Sequence, residues 1–374
     1  MKTEVILLTE TISPYRIPVF NAIAVHLRDQ FLVLFFGASE KRRLWRIYKD
    51  KIKFRYTVLM HFLLQGRNSE PYFLNPTILY KLIEYSPSII ITSGYYNLSS
   101  LLAMLYAKCF SRRIILWCEG NKYEERINYP LTEAYKAWFV RNCTGYIVPG
   151  KASFEYLLSL GAAADKIWIA PNAVDNDYFS QACDKHRETN DAFKKTKGYP
   201  EKIVLYVGRL VDQKGIFDLL KAFQMLSREQ PNLGLLLIGS GEGEKRYRDF
   251  CKTNNIKNVF FEGFVHQEQL PIYYAASDVF VLPSHSEPWG LVLNEAMACK
   301  LPVISSHIAG AAADLVINGE NGYIYEKGNI KELAEAIKKV LNSDTKSMGI
   351  KSHEIIQNFS PLRCASGFLD AITL

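Results

Sequence analysis

What most limits the folds open to this chain is a series of short, almost uninterrupted apolar runs separated by amphipathic stretches. Residues 5–9, 31–36, 88–92, 114–118, 146–149 and 166–170 show little polar alternation. A strand buried on one face alternates. A strand buried on both faces does not, and that is the pattern of a parallel sheet covered by helices. The intervening residues 19–28, 76–85, 98–110, 131–142 and 151–160 have helical spacing, and Leu160-Gly161 is a helix stop.

The alternation pauses over residues 176–200, which are polar and without clear period; we expect a linker and the entry to a second domain. It then resumes, with strands expected at 203–207, 234–238, 259–261, 278–282 and 302–305. Helices are expected at 215–230, 244–254, 267–276, 291–299 and 330–341. A chain of 374 residues suits two domains of about 100–200 residues each. The expectation is therefore an α/β protein with two Rossmann-like, doubly wound parallel-sheet domains, 1–175 and 176–360. Ligands bind at the carboxyl ends of such strands, so the two sets of ends are expected to face each other across a cleft. A tail helix over 361–374, with Leu362, Ala365, Phe368, Leu369 and Ile372 on one stripe, could pack on either domain.

Apolar residues at 48% and charged residues at 22% exclude a disordered or fibrous chain. The net charge of +7 is uneven: residues 1–175 hold 22 Lys and Arg against 14 Asp and Glu, and the remainder 23 against 24. The positive excess in the first half suggests a phosphate-bearing partner or an anionic membrane surface, with a basic solubilising surface as the alternative. Residues 40–55, EKRRLWRIYKDKIKFR, combine eight basic and two acidic residues with interleaved aromatics, which suits a bilayer or a lipid-diphosphate acceptor. No nucleic-acid module accompanies the charge, so nucleic acid is not expected. The seven cysteines are scattered singly, which is the pattern of idle thiols in a reducing compartment rather than a disulfide framework. The histidines lack metal-ligand spacing. No run approaches the roughly 18 apolar residues of a membrane span, and the apolar run at the N-terminus is too short for a signal peptide. A cytoplasmic protein, at most peripheral on the inner face of the plasma membrane, is expected.

Three segments carry chemistry. In SHSEPWGLVLNEAMA, Glu287 follows a strand and Glu295 lies in the next helix. Gly290, Leu291 and Val292 fall at that helix's N-terminus, where free N–H groups and the dipole attract an anion. In VGRLVDQKG, Gly208, Arg209 and Lys214 sit at a strand–helix junction suited to clamping a phosphate. GSGEG, from Gly239, follows a strand without the spacing of a dinucleotide site. Each has an ordinary surface reading when taken alone.

Together, GRLVDQKG, LLIGSGEG, FFEGFV, the segment 277–306 and GENGYIYEKGN resemble, in order and spacing, the family 4 retaining glycosyltransferases of the GT-B fold. APNAVDNDYF resembles that family's interdomain sequence, and Glu287 and Glu295 match its E-x7-E signature. The resemblance implies that Arg209, Lys214 and the Leu291 and Val292 N–H groups hold a donor diphosphate. Glu295 would bind ribose and Glu287 the transferred sugar. Phe264 and Val265 would border the base, and Gly239 would keep the sheet edge open beside it. Growing negative charge on the leaving diphosphate would be met by these cations and N–H groups. No cofactor and no metal is then expected, and Asp175-Asn176-Asp177 is a D-x-D spelling outside a metal context.

On the acceptor side, Ser13, Tyr15 and Arg16 follow the first strand in a segment lacking the family's glycines. Glu119 and Asn121 end a central strand, and Glu119 is the candidate that orients or deprotonates the acceptor hydroxyl. The expected function is a metal-independent hexosyltransferase moving sugar from a nucleotide donor, best UDP-glucose, to a polysaccharide or lipid-linked glycan. The alternatives are a non-catalytic nucleotide-sugar-binding protein and a same-fold UDP-sugar 2-epimerase. Oligomeric state is left open.

Overall fold

The computed structural model describes residues 3–39, 46, 48–65, 71–124 and 130–373. Most of the basic segment 40–55, namely Glu40 to Trp45 and Ile47, lies outside the described residues. The chain divides into two compact units. Unit 1 comprises residues 1–122, 126–172 and 361–374, and unit 2 comprises 123–125 and 173–360.

Unit 1 runs β1 Val5–Thr9, α1 Ile17–Leu27, β2 Phe31–Phe35, β3 Arg55–Val58, β4 Phe62–Gln65, β5 Pro71–Leu74, α2 Ile78–Tyr85 and β6 Ile89–Ser93. It continues with α3 Leu98–Cys109, β7 Arg113–Trp117, α4 Pro130–Asn142, β8 Gly145–Val148, α5 Lys151–Ser159 and β9 Ile167–Ile169. Seven strands form one parallel sheet in the order β3-β2-β1-β6-β7-β8-β9, and β4-β5 is a separate antiparallel hairpin. The core follows from the apolar runs. Ile6, Leu8, Ile90 and Leu116 on one sheet face meet Phe73, Ile78, Leu82, Met104 and Phe139 from the hairpin and α2 to α4.

Unit 2 starts with α6 Asn176–Arg187 and α7 Asn190–Lys197. It continues with β10 Lys202–Val207, α8 Ile216–Glu229, β11 Leu233–Ile238, α9 Glu244–Thr253, β12 Val259–Gly263, α10 Leu270–Ala275 and β13 Val279–Leu282. It closes with α11 Leu291–Ala298, β14 Val303–Ser306, α12 Ala312–Leu315, β15 Gly322–Tyr325, α13 Ile330–Leu341 and α14 Thr345–Ile356. Its parallel sheet has the order β12-β11-β10-β13-β14-β15, so the direction of winding reverses between β10 and β13. The last helix, α15 Pro361–Thr373, belongs to unit 1. There its Phe368 meets Trp117 edge-on at 5.1 Å, and the Arg113 guanidinium donates to the carbonyls of Ala371 and Ile372.

Two expectations are corrected. The polar stretch 176–200 is not a linker but two helices. The Asp175 carboxylate caps the first by accepting from the Tyr178 N–H, and Phe179 and Cys183 are its buried face. So few apolar residues hid the helical period. The cysteines are also not all idle, because Cys183 on α6 and Cys299 just past α11 form a disulfide. The scattered spacing could not show this, since 116 residues separate the partners. The edge strand β3, the β4-β5 hairpin, β15 and α14 were not anticipated.

Candidate functional site

In a doubly wound sheet the reversal of strand order opens a crevice at the carboxyl ends of the flanking strands. In unit 2 those strands are β10 and β13, and the loops leaving them carry the motif residues. After β10, Gly208 and the exposed Arg209 lead to a 3-10 turn, Asp212–Lys214. The Tyr206 hydroxyl donates to the Arg209 carbonyl at 2.8 Å and fixes this exit. After β13 come Ser284, His285 and Glu287. The two loops are tied together, because the His285 N–H donates to the Gln213 carbonyl at 2.8 Å.

That tie sets the main contact of the site. Lys214 Nζ lies 2.5 Å from Glu287 Oε2, with both side chains 13% exposed. The Ser284 hydroxyl is 3.4 Å from the same carboxylate oxygen. The Glu287 carbonyl accepts from the Gly310 N–H, and the Ser284 carbonyl accepts from the Ser306 hydroxyl, so the carboxylate rides on an anchored loop.

Gly290 has φ of 104°, a conformation a side chain resists, and a Cβ there would fall 2.7 Å from a Leu282 methyl. This turn starts α11 directly behind Glu287. The Trp289 indole donates to Asn294 Oδ1 at 3.0 Å and pins loop to helix. The first turn of a helix leaves N–H groups without intrahelical acceptors. Here those positions are Leu291 and Val292, both half-buried. Two loops and one helix start thus place a cation, a carboxylate and an anion-attracting helix end together.

The other residues expected to bind the donor lie on neighbouring elements of unit 2. Glu295 is fully buried on α11 and accepts from the Tyr274 hydroxyl at 2.6 Å. Gly239 follows β11 so close to the exit of β10 that a Cβ would meet the Gly208 carbonyl at 1.9 Å. Phe264, 43% exposed, follows β12 with Val265, and its ring meets His266 edge-on at 5.0 Å. Missed from the sequence was the His285–Asp218 pair, 2.6 Å apart. Its signal was available, since Asp218 stands one helical turn past Lys214 and His285 two residues before Glu287.

In unit 1, Arg16 meets or adjoins several of the residues expected on the acceptor side. Its guanidinium pairs with the Glu119 carboxylate, donates to Asn172 Oδ1 at 2.8 Å and lies 4.4 Å from the centre of the Trp117 ring. The Ser153 hydroxyl donates to the Glu119 carbonyl at 3.2 Å. Ser13 and Tyr15 sit on the turn that presents Arg16, with the Arg16 N–H bonded to the Ser13 carbonyl at 3.0 Å. Asn121 is buried two residues past Glu119. The Glu119 carboxylate is therefore engaged by a guanidinium.

Residues 187–358 match the family model of glycosyl transferases group 1. The chain is 32% identical over 204 residues to the capsular polysaccharide biosynthesis glycosyltransferase CapM of Staphylococcus aureus, covering 54% of this chain and 49% of that protein. It spans about half the length of curated relatives that it matches. Among solved structures it resembles HepE of Anabaena in complex with UDP, with a TM-score of 0.75, 20% identity and 99% of each chain covered. Sucrose-phosphate synthase of Thermosynechococcus elongatus gives 0.74 at 20% identity, with 99% of this chain and 98% of that one covered. The fold is the GT-B fold of two Rossmann-like domains.

Proposed function

We propose that the protein is a retaining glycosyltransferase that moves a hexose, best glucose from UDP-glucose, to a polysaccharide or lipid-linked glycan in cell-surface polysaccharide synthesis. The observation that carries this reading is the Lys214–Glu287 pair beside the start of α11 at the winding reversal of unit 2. A diphosphate seated on the helix end draws the Lys214 ammonium to itself and frees Glu287 for sugar hydroxyls. Lys214, Arg209 and the Leu291 and Val292 N–H groups then meet the charge that grows on the leaving diphosphate. In this reading no metal is needed for that task. Glu295, on the same helix, is the ribose residue, and Phe264 and Val265 flank the base. The relative CapM supports the polysaccharide assignment, and the HepE complex with UDP-glucose supports the donor.

In this proposal the acceptor domain is residues 1–175 with the tail helix, which corresponds closely to unit 1, and the donor domain is 176–360, which corresponds closely to unit 2. Arg16 and Glu119 act as a pair, the guanidinium towards acceptor anionic groups and the carboxylate towards its hydroxyl. An anionic membrane surface on the cytoplasmic side is the place where a lipid-linked acceptor is met.

The test is incubation with a panel of nucleotide sugars. Slow release of UDP from UDP-glucose is expected. Interconversion of the sugar identifies an epimerase instead, and an intact sugar identifies a binding protein. Arg209→Ala and Glu295→Ala are expected to weaken UDP binding at least tenfold by calorimetry; unchanged binding refutes the site.

A further inference from the structure

Contacts of two kinds hold the loop between β13 and α11 against the start of α8. The His285 and Ser286 N–H groups both donate to the Gln213 carbonyl, at 2.8 and 3.2 Å, and Lys214 pairs with Glu287. These land on the 3-10 turn Asp212–Lys214, whose Asp212 and Gln213 are exposed. The other kind goes deeper. His285 Nε2 lies 2.6 Å from Asp218 Oδ2, with 29% and 13% of the two side chains exposed. A carboxylate only accepts, so Nε2 carries the proton between them.

Asp218 is a firm anchor. It stands on the first turn of α8, where a carboxylate suits the helix dipole. Its neighbours Leu219, Leu220 and Phe223 are fully buried in the core of unit 2. The fit between loop and helix is close. Gly215 has φ of 66°, and a Cβ there would fall 1.9 Å from the Pro283 carbonyl and 3.2 Å from the His285 ring.

The two kinds of contact respond differently to a donor. A diphosphate at the start of α11 draws Lys214 away from Glu287, and water competes for the Gln213 carbonyl on the same exposed turn. The His285–Asp218 bond uses neither that turn nor a donor-binding group, so it survives the exchange. We propose that His285 and Asp218 form a clasp that holds the β13–α11 loop, and with it Glu287, in place while the donor engages Lys214. His285 acts through Glu287, two residues on, as a positioning residue. This role rests on the glycosyltransferase reading of the Lys214–Glu287 pair.

The test is amide hydrogen exchange over residues 283–290, with and without UDP, in the wild type, His285→Ala and His285→Gln. The glutamine amide nitrogen reaches about as far as Nε2 and donates to Asp218 in its place. The wild type is expected to lose no protection when UDP is added. In His285→Ala, adding UDP should lower protection about tenfold, whereas a residue that only stabilises the fold loosens the loop equally in both states. In the same variant, kcat for UDP release from UDP-glucose should fall about tenfold to a hundredfold, the cost of a misplaced group, with UDP affinity by calorimetry within about threefold of wild type. His285→Gln should recover most of that loss. A wild-type loop that opens on UDP binding, equal exchange in His285→Ala with and without UDP, or a glutamine variant as impaired as the alanine one overturns the clasp. The wild-type and glutamine results decide the matter even where the alanine variant fails to fold. Wild type that binds no UDP overturns the donor reading and the clasp with it; failure of the clasp alone leaves UDP binding intact, so the two failures are distinguishable.

Discussion

At the residue scale, the Lys214–Glu287 contact explains why neither residue's role follows from its own position. Each is a half-buried charge that would be costly alone, and each makes the other tolerable. Lys214→Ala is expected to lower kcat/KM for donor turnover by about 10²–10³-fold, the usual cost of losing one group that stabilises a leaving oxyanion. A steady-state UDP-release assay measures it. The thiols give a second residue-scale expectation. Burial pushes the Cys364 thiol up to about 12, whereas Cys109 is exposed. The thiolate is the reactive form, and a pKa of 12 leaves roughly one part in ten thousand ionised at pH 8. Iodoacetamide at pH 8 should therefore label Cys109 in the native protein and Cys364 only after denaturation, as peptide mass spectrometry would show.

At the element scale, helix α6 shows how little apolar surface a helix needs when others receive it. It buries Phe179 and Cys183, is capped by Asp175, and is bonded to α11 through the Cys183–Cys299 disulfide. Because α11 carries Glu295 and begins at the proposed diphosphate seat, the bridge braces the helix of the proposed donor site. By loop entropy a bridge closing so long a loop is worth about 4–5 kcal/mol. Reductant should lower the unfolding midpoint of the wild type by a matching amount and leave that of Cys183→Ser/Cys299→Ser unchanged, as measured by scanning calorimetry. The helix was illegible because its polar face outnumbers its apolar one. The strands were legible for the opposite reason: burial on both faces removes the polar residues that would blur a period.

At the scale of the whole molecule, the C-terminal helix α15 belongs to the unit built by the N-terminal half of the chain. It buries Cys364, Phe368 and Ile372, and Gly367 lets it approach so closely that a Cβ would meet the Ile169 carbonyl at 2.3 Å. Removing residues 361–374 should selectively lower the unfolding transition of unit 1 and leave that of unit 2 in place, separated by calorimetry with and without UDP. By itself the sequence determined two doubly wound parallel sheets, most of their strands within a residue or two though not β3 or β15, and the grouping of Glu287, Gly290 and Leu291 on one loop and helix start. These follow from local period and from neighbours in the chain. Only the tertiary structure decided that Lys214 meets Glu287 across 73 residues, that Arg16 meets Glu119 across 103, and that Cys183 meets Cys299. Such pairings depend on which strand ends lie side by side, and strand order is settled by burial of the whole sheet, not by any segment's own preference.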